Sequence, residues 1–275
     1  MNQVYGVIRK MRVVPTVPVS YRLPVGDSEV DLSPYLGCTV ALEYSGKIFC
    51  IECGKRTKKS FNQGHCFRCL RTLASCDMCI VKPEQCHYHL GTCREPQWGE
   101  QYCMQTHVVY LANSSGLKVG ITRGSQVPTR WIDQGAAQAL PVFEVRTRYD
   151  AGLIEVAMKA FVGDRTDWRR MLKGEPEMLD LIAERTRLLE AAHMSLSAQG
   201  IPSSEQGVRL LADACPVHFS YPVLTYPDKV RAHNFDKESR IEGALLGIKG
   251  QYLILDNGVL NVRKFAGYEV CLTHG

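Results

Sequence analysis

Cysteine spacing carries the plainest chemistry in this chain. Cys50 and Cys53 are separated by two residues, as are Cys66 and Cys69, and twelve residues lie between the pairs. A C-x2-C turn lets two thiolates reach one ion, and two such turns complete a tetrahedral zinc site. Iron–sulfur or redox use of the thiols is the lesser alternative. Gly54, directly after the second cysteine, suits such a turn. A second group of donors follows at once: Cys76, Cys79, Cys86, His87, His89, Cys93, Cys103 and His107. It holds more candidates than one tetrahedral ion can use. Cys79, Cys86, Cys93 and Cys103 are the first choice for a second zinc, with Cys76 and His89 next. The alternative is that one or two of these are small buried hydrophobes, a common fate of free cysteine. Cys38, Cys215 and Cys271 lie in strand-like or helix-end contexts and are expected in the core. Four protein ligands leave no open position. The expected role of one or two zinc ions is therefore folding energy for a loop-rich module rather than catalysis.

The first cysteine group is also basic. No acidic residue occurs between Glu52 and Asp77, while Lys55, Arg56, Lys58, Lys59, Arg68 and Arg71 do, with Phe61 and Phe67 among them. Cations interleaved with aromatic rings suit phosphate contact and base stacking. The same cations could equally offset the negative charge of a tetrathiolate zinc site.

Further along, His107-Val-Val-Tyr110 is followed after seven residues by Lys118-Val-Gly120-Ile-Thr122-Arg123, then by Pro128-Thr-Arg130-Trp131. The pattern reads as a strand ending in tyrosine, a turn, a strand carrying glycine, and a helix presenting arginine. That order resembles the GIY-YIG nuclease superfamily over about a third of the chain, residues 107 to 195. Tyr110 matches the tyrosine of the first tripeptide and Gly120 the glycine of the second. Arg130 matches the helix arginine, and Glu155 the metal ligand on a later helix. The sequence departs from the pattern at Lys118, where the second tyrosine stands, at Val108, and at Gln134, where histidine or tyrosine is usual. Lysine in place of the second tyrosine is familiar in the superfamily. The cysteine-rich and β segments on either side are also similar to an uncharacterised bacterial family. That second resemblance implies only a domain arrangement.

The resemblance implies roles for each residue. Tyr110 would help deprotonate or orient a water molecule with help from a neighbouring cation. Arg130 would donate to the non-bridging phosphate oxygens as charge builds. Glu155 would hold Mg²⁺ or Mn²⁺ against the leaving oxygen. Lys118 would supply positive charge near the water, and Arg123 would hold a flanking phosphate. Read singly, each residue has a plainer account: a core-edge tyrosine, a solvated lysine, an arginine stem lying on Trp131, and a surface pair between Glu155 and Lys159.

These residues need elements to position them. Residues 1–49 read as β-structure, with Val7 to Val14 and Cys38 to Tyr44 rich in apolar and β-branched residues and a turn at 26–28. Residues 50–106 form the cysteine-rich module, and 107–195 read strand, strand, helix, strand, helix, helix. Pro141 to Tyr149 alternates as a strand does. Ala151 to Val162 places Ile154, Ala157, Met158 and Phe161 on one helical face, and Pro176 to His193 does so with Met178, Leu181, Ile182, Leu188 and Leu189. Ser195 to Ser204 reads as a loop, followed by a short helix to Ala214. Residues 216–275 return to β-structure, with a hairpin whose turn is placed at Asn257-Gly258. The fold class expected is α+β: a small mixed three-stranded sheet with helices, a zinc ribbon, and flanking β segments that pair into one small barrel or sheet, since each is small for an independent core.

Composition sets the outer bounds. The chain has 275 residues and a net charge of +5, which permits an anionic partner without requiring one. No apolar run reaches membrane-spanning length and the first residues lack the apolar block of a signal peptide, so a soluble, cytoplasmic protein is expected. A reducing compartment favours metal-bound thiols over disulfides. Three functions remain open. One is a metal-dependent nuclease acting on DNA or RNA. The second, favoured by Gln134 and the missing tyrosine, is a catalytically inactive nucleic-acid-binding protein. The third is a protein-interaction scaffold that docks through Gly247-Ile-Lys-Gly250-Gln251. Lys249, Arg263 and Lys264 could contact phosphates, but a solvated barrel face is the better expectation for them. Oligomeric state is not encoded in any feature of the sequence.

Overall fold

The computed structural model describes residues 2–162, 166–201 and 207–275. They form an α+β fold with three antiparallel sheets. The largest sheet joins the two ends of the chain. Asn2–Val7 pairs with Tyr268–His274, which pairs with Thr39–Phe49, and Arg240–Lys249, Tyr252–Leu255 and Gly258–Asn261 follow in order. Tyr268–His274 alternates buried and half-buried residues along its length, so one face of the sheet closes over the core. That core draws on Leu23, Leu42, Ile241, Leu253, Phe265 and Leu272, from both ends of the sequence.

The sheet is open among the described residues and does not close into a barrel. The outer edge of Gly258–Asn261 is already taken. His233 N donates to Val259 O at 2.9 Å, and Val259 N donates to Arg231 O at 2.8 Å. The Arg231–His233 segment thus takes both backbone groups of Val259, the position through which this edge would otherwise begin to pair with another strand.

The hairpin turn is corrected by one residue. Leu255 pairs with Gly258, so the two-residue loop is Asp256-Asn257, and Gly258 begins the second strand. Neither Asn257 nor Gly258 has positive φ. Gly258 is glycine for a steric reason instead: a Cβ there would lie 2.6 Å from His233 Nε2 and 2.8 Å from Arg231 O. The turn at Gly26, by contrast, is where the sequence placed it, joining Ser20–Val25 to Ser28–Asp31 in a small third sheet that also includes Arg12–Val14.

The second sheet positions the site. Its long strands run in the order Gln138–Val145, His107–Asn113, Leu117–Arg123, with the two-residue strands Arg209–Leu210 and Val217–His218 added to Gln138–Val145. Every pairing is antiparallel, so the expected mixed sheet is corrected. All seven residues of His107–Asn113 are buried, because both faces of this central strand are covered. Val109 and Leu111 face the helices Arg148–Lys159 and Leu181–Ala198, while Val108, Tyr110 and Ala112 face Trp131.

The helices start and stop where their caps dictate. Thr147 accepts from Asp150 N at the start of Arg148–Lys159, and Asp180 accepts from Ile182 N and Ala183 N at the start of Leu181–Ala198. Phe161 and Met178 therefore fall outside the helices and are exposed, and Ile182 sits on the exposed side of its helix. Leu181–Ala198 extends past the expected loop start at Ser195. The expected helix to Ala214 is absent among the described residues, which instead carry the strand Arg209–Leu210; 202–206 lie outside them. No helix among the described residues is long and apolar enough to cross a membrane.

Candidate functional site

The first zinc knuckle is shaped by its backbone. Gly54 takes φ +69° and its N–H donates to Cys50 O at 3.0 Å, which folds the chain back at the second cysteine. The other pair sits at the start of the short helix Phe67–Thr72, where Cys66 Sγ accepts from Cys69 N at 3.5 Å. The sulfur atoms of Cys50, Cys53, Cys66 and Cys69 all lie within 4.8 Å of one another. Four soft donors at that separation fit a tetrahedral zinc ion. Burial pushes the Cys50 thiol up, but N–H donors from Cys53, Cys66 and Glu52 outweigh it and bring the thiol to about 6. Cys69 in the same cluster shifts the opposite way, pushed up by burial and by its contacts to Cys66, Cys53 and Cys50, so the thiols of the cluster titrate together.

The later cysteines separate. Cys79, Cys86, Cys93 and Cys103 line one small cavity together with Asp77, His87 and Trp98. Cys76 is not among them: its sulfur accepts from Asn62 Nδ2 at 3.4 Å. Nor is His89, whose ring packs against Tyr149 at 5.8 Å between centroids. His107 is buried at the start of its strand, with Nδ1 on Gln105 O at 2.7 Å. Cys38 and Cys215 are exposed and Cys271 half-buried, so the expectation of core positions is corrected for the first two. Both belong to loops outside the strands that would have buried them.

A cleft of about 560 Å³ opens beside the Leu117–Arg123 strand, and it gathers residues from distant parts of the sequence. Tyr110, Lys118, Gly120, Arg123, Arg130 and Glu155 all line it. Tyr110 pairs across the strands with Gly120. A Cβ on Gly120 would stand 2.8 Å from the Tyr110 hydroxyl, so glycine leaves the space in which the phenol lies.

Gln134 is the hub of the polar contacts. Its Oε1 accepts from Tyr110 Oη at 3.1 Å and from Lys118 Nζ at 2.7 Å. Lys118 Nζ also lies 2.6 Å from Thr166 Oγ1. Burial, then the nearby Arg130 guanidinium, lowers Lys118 from its ordinary 10.5 to about 7. Burial raises Tyr110, with Arg130 opposing and Glu155 reinforcing that shift. At neutral pH the phenol keeps its proton, and the lysine is the group poised to gain or lose one.

Arg148 and Arg263 also face the cleft. Arg263 lies in the C-terminal β segment, where a solvated face was expected; instead it is half-buried in the cleft wall, and burial first, then the Arg130 charge, lowers its pKa. Only the packing of the terminal sheet against the Thr129–Asp133 helix brings it there, and no local pattern signals that. Lys10 lines the cleft as well, holding Asp133 at 2.7 Å. Asp133 also accepts from Gln251 Nε2 at 2.8 Å. Five cationic side chains, with Lys118 partly charged at neutral pH, against two carboxylates make a positive pocket.

The basic residues of the ribbon lie elsewhere. Lys55, Arg56, Lys58 and Lys59 are exposed, and none forms an ion pair with a described residue. Arg56 and Lys58 line a separate groove with Tyr44, and Lys59 sits over the Phe61 ring at 5.4 Å. The ribbon reaches the cleft through Asn62 and Gln63 instead. Two further expectations are corrected. Lys249 is fully buried, bonded to Gly174 O and Glu175. The whole Gly247–Gln251 stretch is buried too, with Gln251 bonded to both Met11 N and Met11 O, so it is no docking surface.

No curated protein and no solved structure matches the chain. A family model does match, over residues 37–270, a span that includes both cysteine groups and every cleft residue named above except Lys10. The chain belongs to the family described as Protein of unknown function (DUF2797).

Proposed function

We propose that the chain is a metal-dependent nuclease of the GIY-YIG type, hydrolysing phosphodiester bonds in DNA or RNA. The observation that carries this reading is the convergence of Tyr110, Lys118, Arg130 and Glu155 on one positive cleft. Those residues are spread over 46 positions, from 110 to 155, and three separate elements supply them besides the tyrosine strand. The geometry is that of a small antiparallel sheet backed by helices, with tyrosine and glycine opposed across two strands.

Glu155 would hold Mg²⁺ or Mn²⁺, which when bound supplies Lewis-acid stabilisation of the leaving oxygen. The cations Arg123, Arg130 and Arg148 receive the phosphate and its neighbours, and the planar guanidinium of Arg130 matches two non-bridging oxygens. Lys118 handles the proton of the attacking water: near neutral pH its amine and ammonium forms coexist. Tyr110 remains protonated and orients the water by hydrogen bonding, held in place by Gln134. Gln134 titrates nothing, yet it fixes both groups.

The exposed basic ribbon, with Lys55, Arg56, Lys58 and Lys59, extends the phosphate-binding surface beyond the cleft. A non-catalytic nucleic-acid-binding protein is the second reading, favoured by the burial of Tyr110. The test is cleavage of a panel of labelled single- and double-stranded DNA and RNA by zinc-loaded protein, with Mg²⁺ or Mn²⁺ added. Cleavage that requires the divalent ion supports the nuclease. Salt-sensitive binding with no cleavage supports the second reading.

A further inference from the structure

Within the 74–103 segment lies a cavity ringed by Cys79, Cys86, Cys93 and Cys103. Its free volume is about 10 Å³, room for a single water-sized particle. A cavity that small, with so many donors on its walls, has the dimensions of an ion site. Cys86 and Cys103 are buried, Cys79 and Cys93 half-buried.

Asp77 and His87 approach the same cavity, and with Cys79 they come within 4.8 Å of one another. The four cavity sulfurs share its walls without all lying that close, so an ion there would draw Cys86, Cys93 and Cys103 in toward Cys79. Asp77 and His87 both have other work. Asp77 accepts from Arg94 Nε at 2.7 Å and from Met78 N at 2.6 Å, capping the turn that leads into Cys79. His87 is held by Thr92 Oγ1 at 2.8 Å, with Asp77 3.5 Å from its other nitrogen. The four thiols have no comparable commitments. Cys93 makes only a long contact, 3.6 Å, to Glu95 O.

The loop that carries Cys79 and Cys86 is also a wall of the cleft. Ile80, Val81 and Pro83 face into it. Arg148, another cleft residue, is bound to this module at both ends: its N–H donates to Cys103 O at 2.9 Å, and its Nη2 donates to Ile80 O at 2.6 Å. One turn on, Gly152 lies so close to the loop that a Cβ would stand 2.6 Å from Pro83 Cβ and from Glu84 N. The same helix carries Glu155.

We propose that Cys79, Cys86, Cys93 and Cys103 hold a second structural zinc, and that this ion fixes the 79–86 wall and the Arg148–Lys159 helix against it. Asp77 and His87 orient the loop and are not ligands. The inference stands independently of the nuclease reading, since it concerns metal content and local order.

The test is metal analysis of the purified full chain, with hydrogen exchange on the same samples. Wild type should carry about two zinc ions per chain. Cys86→Ser and Cys103→Ser should each carry about one, while Asp77→Asn and His87→Ala keep both. In Cys103→Ser, exchange should rise across 78–86 and 148–155 and stay unchanged across 50–69. Should the serine variants fold too poorly to assay, cobalt titration of the wild type replaces them: absorption of tetrahedral thiolate-bound cobalt should keep growing through the second equivalent. A single zinc per chain, saturation at one equivalent of cobalt, or loss of the second ion in His87→Ala or Asp77→Asn would each overturn the proposal.

Discussion

Tyr110 and Gly120 face each other across the central pair of strands, and the absence of a side chain at 120 is what admits the phenol. An added Cβ would sit 2.8 Å from both Cζ and the hydroxyl oxygen of Tyr110. Tyr110 is buried and backed by Trp131 at 5.7 Å, so an added methyl would force the ring against its neighbours or out toward the cleft. Gly120→Ala should therefore lower stability by about 1–3 kcal/mol, as overpacking does in a close-packed core. Chemical denaturation of the variant beside wild type checks this; an unchanged midpoint would show that the tyrosine can move.

Lys118 gives the molecule a specific pH signature. Its folded pKa is lowered to about 7 from 10.5, so between those values the unfolded chain binds the extra proton. Stability from this group therefore grows as pH rises from about 7 toward 10.5 and is missing below 7. Lys118→Met removes the effect. The stability difference between the variant and wild type should favour the variant most near pH 7 and shrink steadily above it. A difference that is flat over that range would mean that Lys118 titrates normally.

His107 acts at the acid end. Burial first, and the charges of Arg148 and Arg123 after it, lower its pKa from 6.5 to about 4, against a backbone bond to Gln105 that works the other way. Its Nε2 is buried, with no hydrogen-bond partner among the described residues. Stability from keeping this ring neutral is complete above pH 6.5 and is lost as pH falls toward about 4. His107→Phe should lose less stability than wild type over that interval, read from denaturation at several pH values.

The first zinc site should be separable from the rest of the fold. The terminal sheet and the sheet beneath the cleft have their own buried clusters, whereas residues 50–69 have few apolar contacts to hold them. A strong chelator should release zinc and raise hydrogen exchange across 50–69 before the strand Thr39–Phe49 opens. Cys66→Ser should give the same local loosening without chelator. Global unfolding in one step with metal release would contradict this ordering.

The parts of this molecule that could be read from sequence are those set by short-range geometry. Two C-x2-C turns predict a four-thiolate cluster because the turn itself determines where both sulfurs point. Tyr110, Lys118, Gly120 and Arg130 could be placed together because adjacent antiparallel strands and the next helix leave few arrangements. What stayed hidden depends on long-range packing. Arg263 reaches the cleft, and Lys249 is buried, only because the terminal sheet folds against the Thr129–Asp133 helix and the 174–175 segment. Cys76 and His89 had suitable spacing but were turned away by contacts to Asn62 and to the distant Tyr149. The hairpin slipped by one residue because Gly258 answers to His233, a residue 25 positions earlier, and not to the turn.

The central claim is that the cleft hydrolyses nucleic acid with a divalent ion held by Glu155. The most direct measurement is single-turnover cleavage of the best substrate by wild type, Glu155→Ala and Arg130→Ala in Mn²⁺, with binding to the same substrate measured alongside. The account predicts that Glu155→Ala abolishes cleavage and that Arg130→Ala slows it roughly 10²- to 10³-fold, while both variants still bind. Undiminished cleavage by Glu155→Ala, or binding by wild type with no cleavage under any divalent ion, would contradict it.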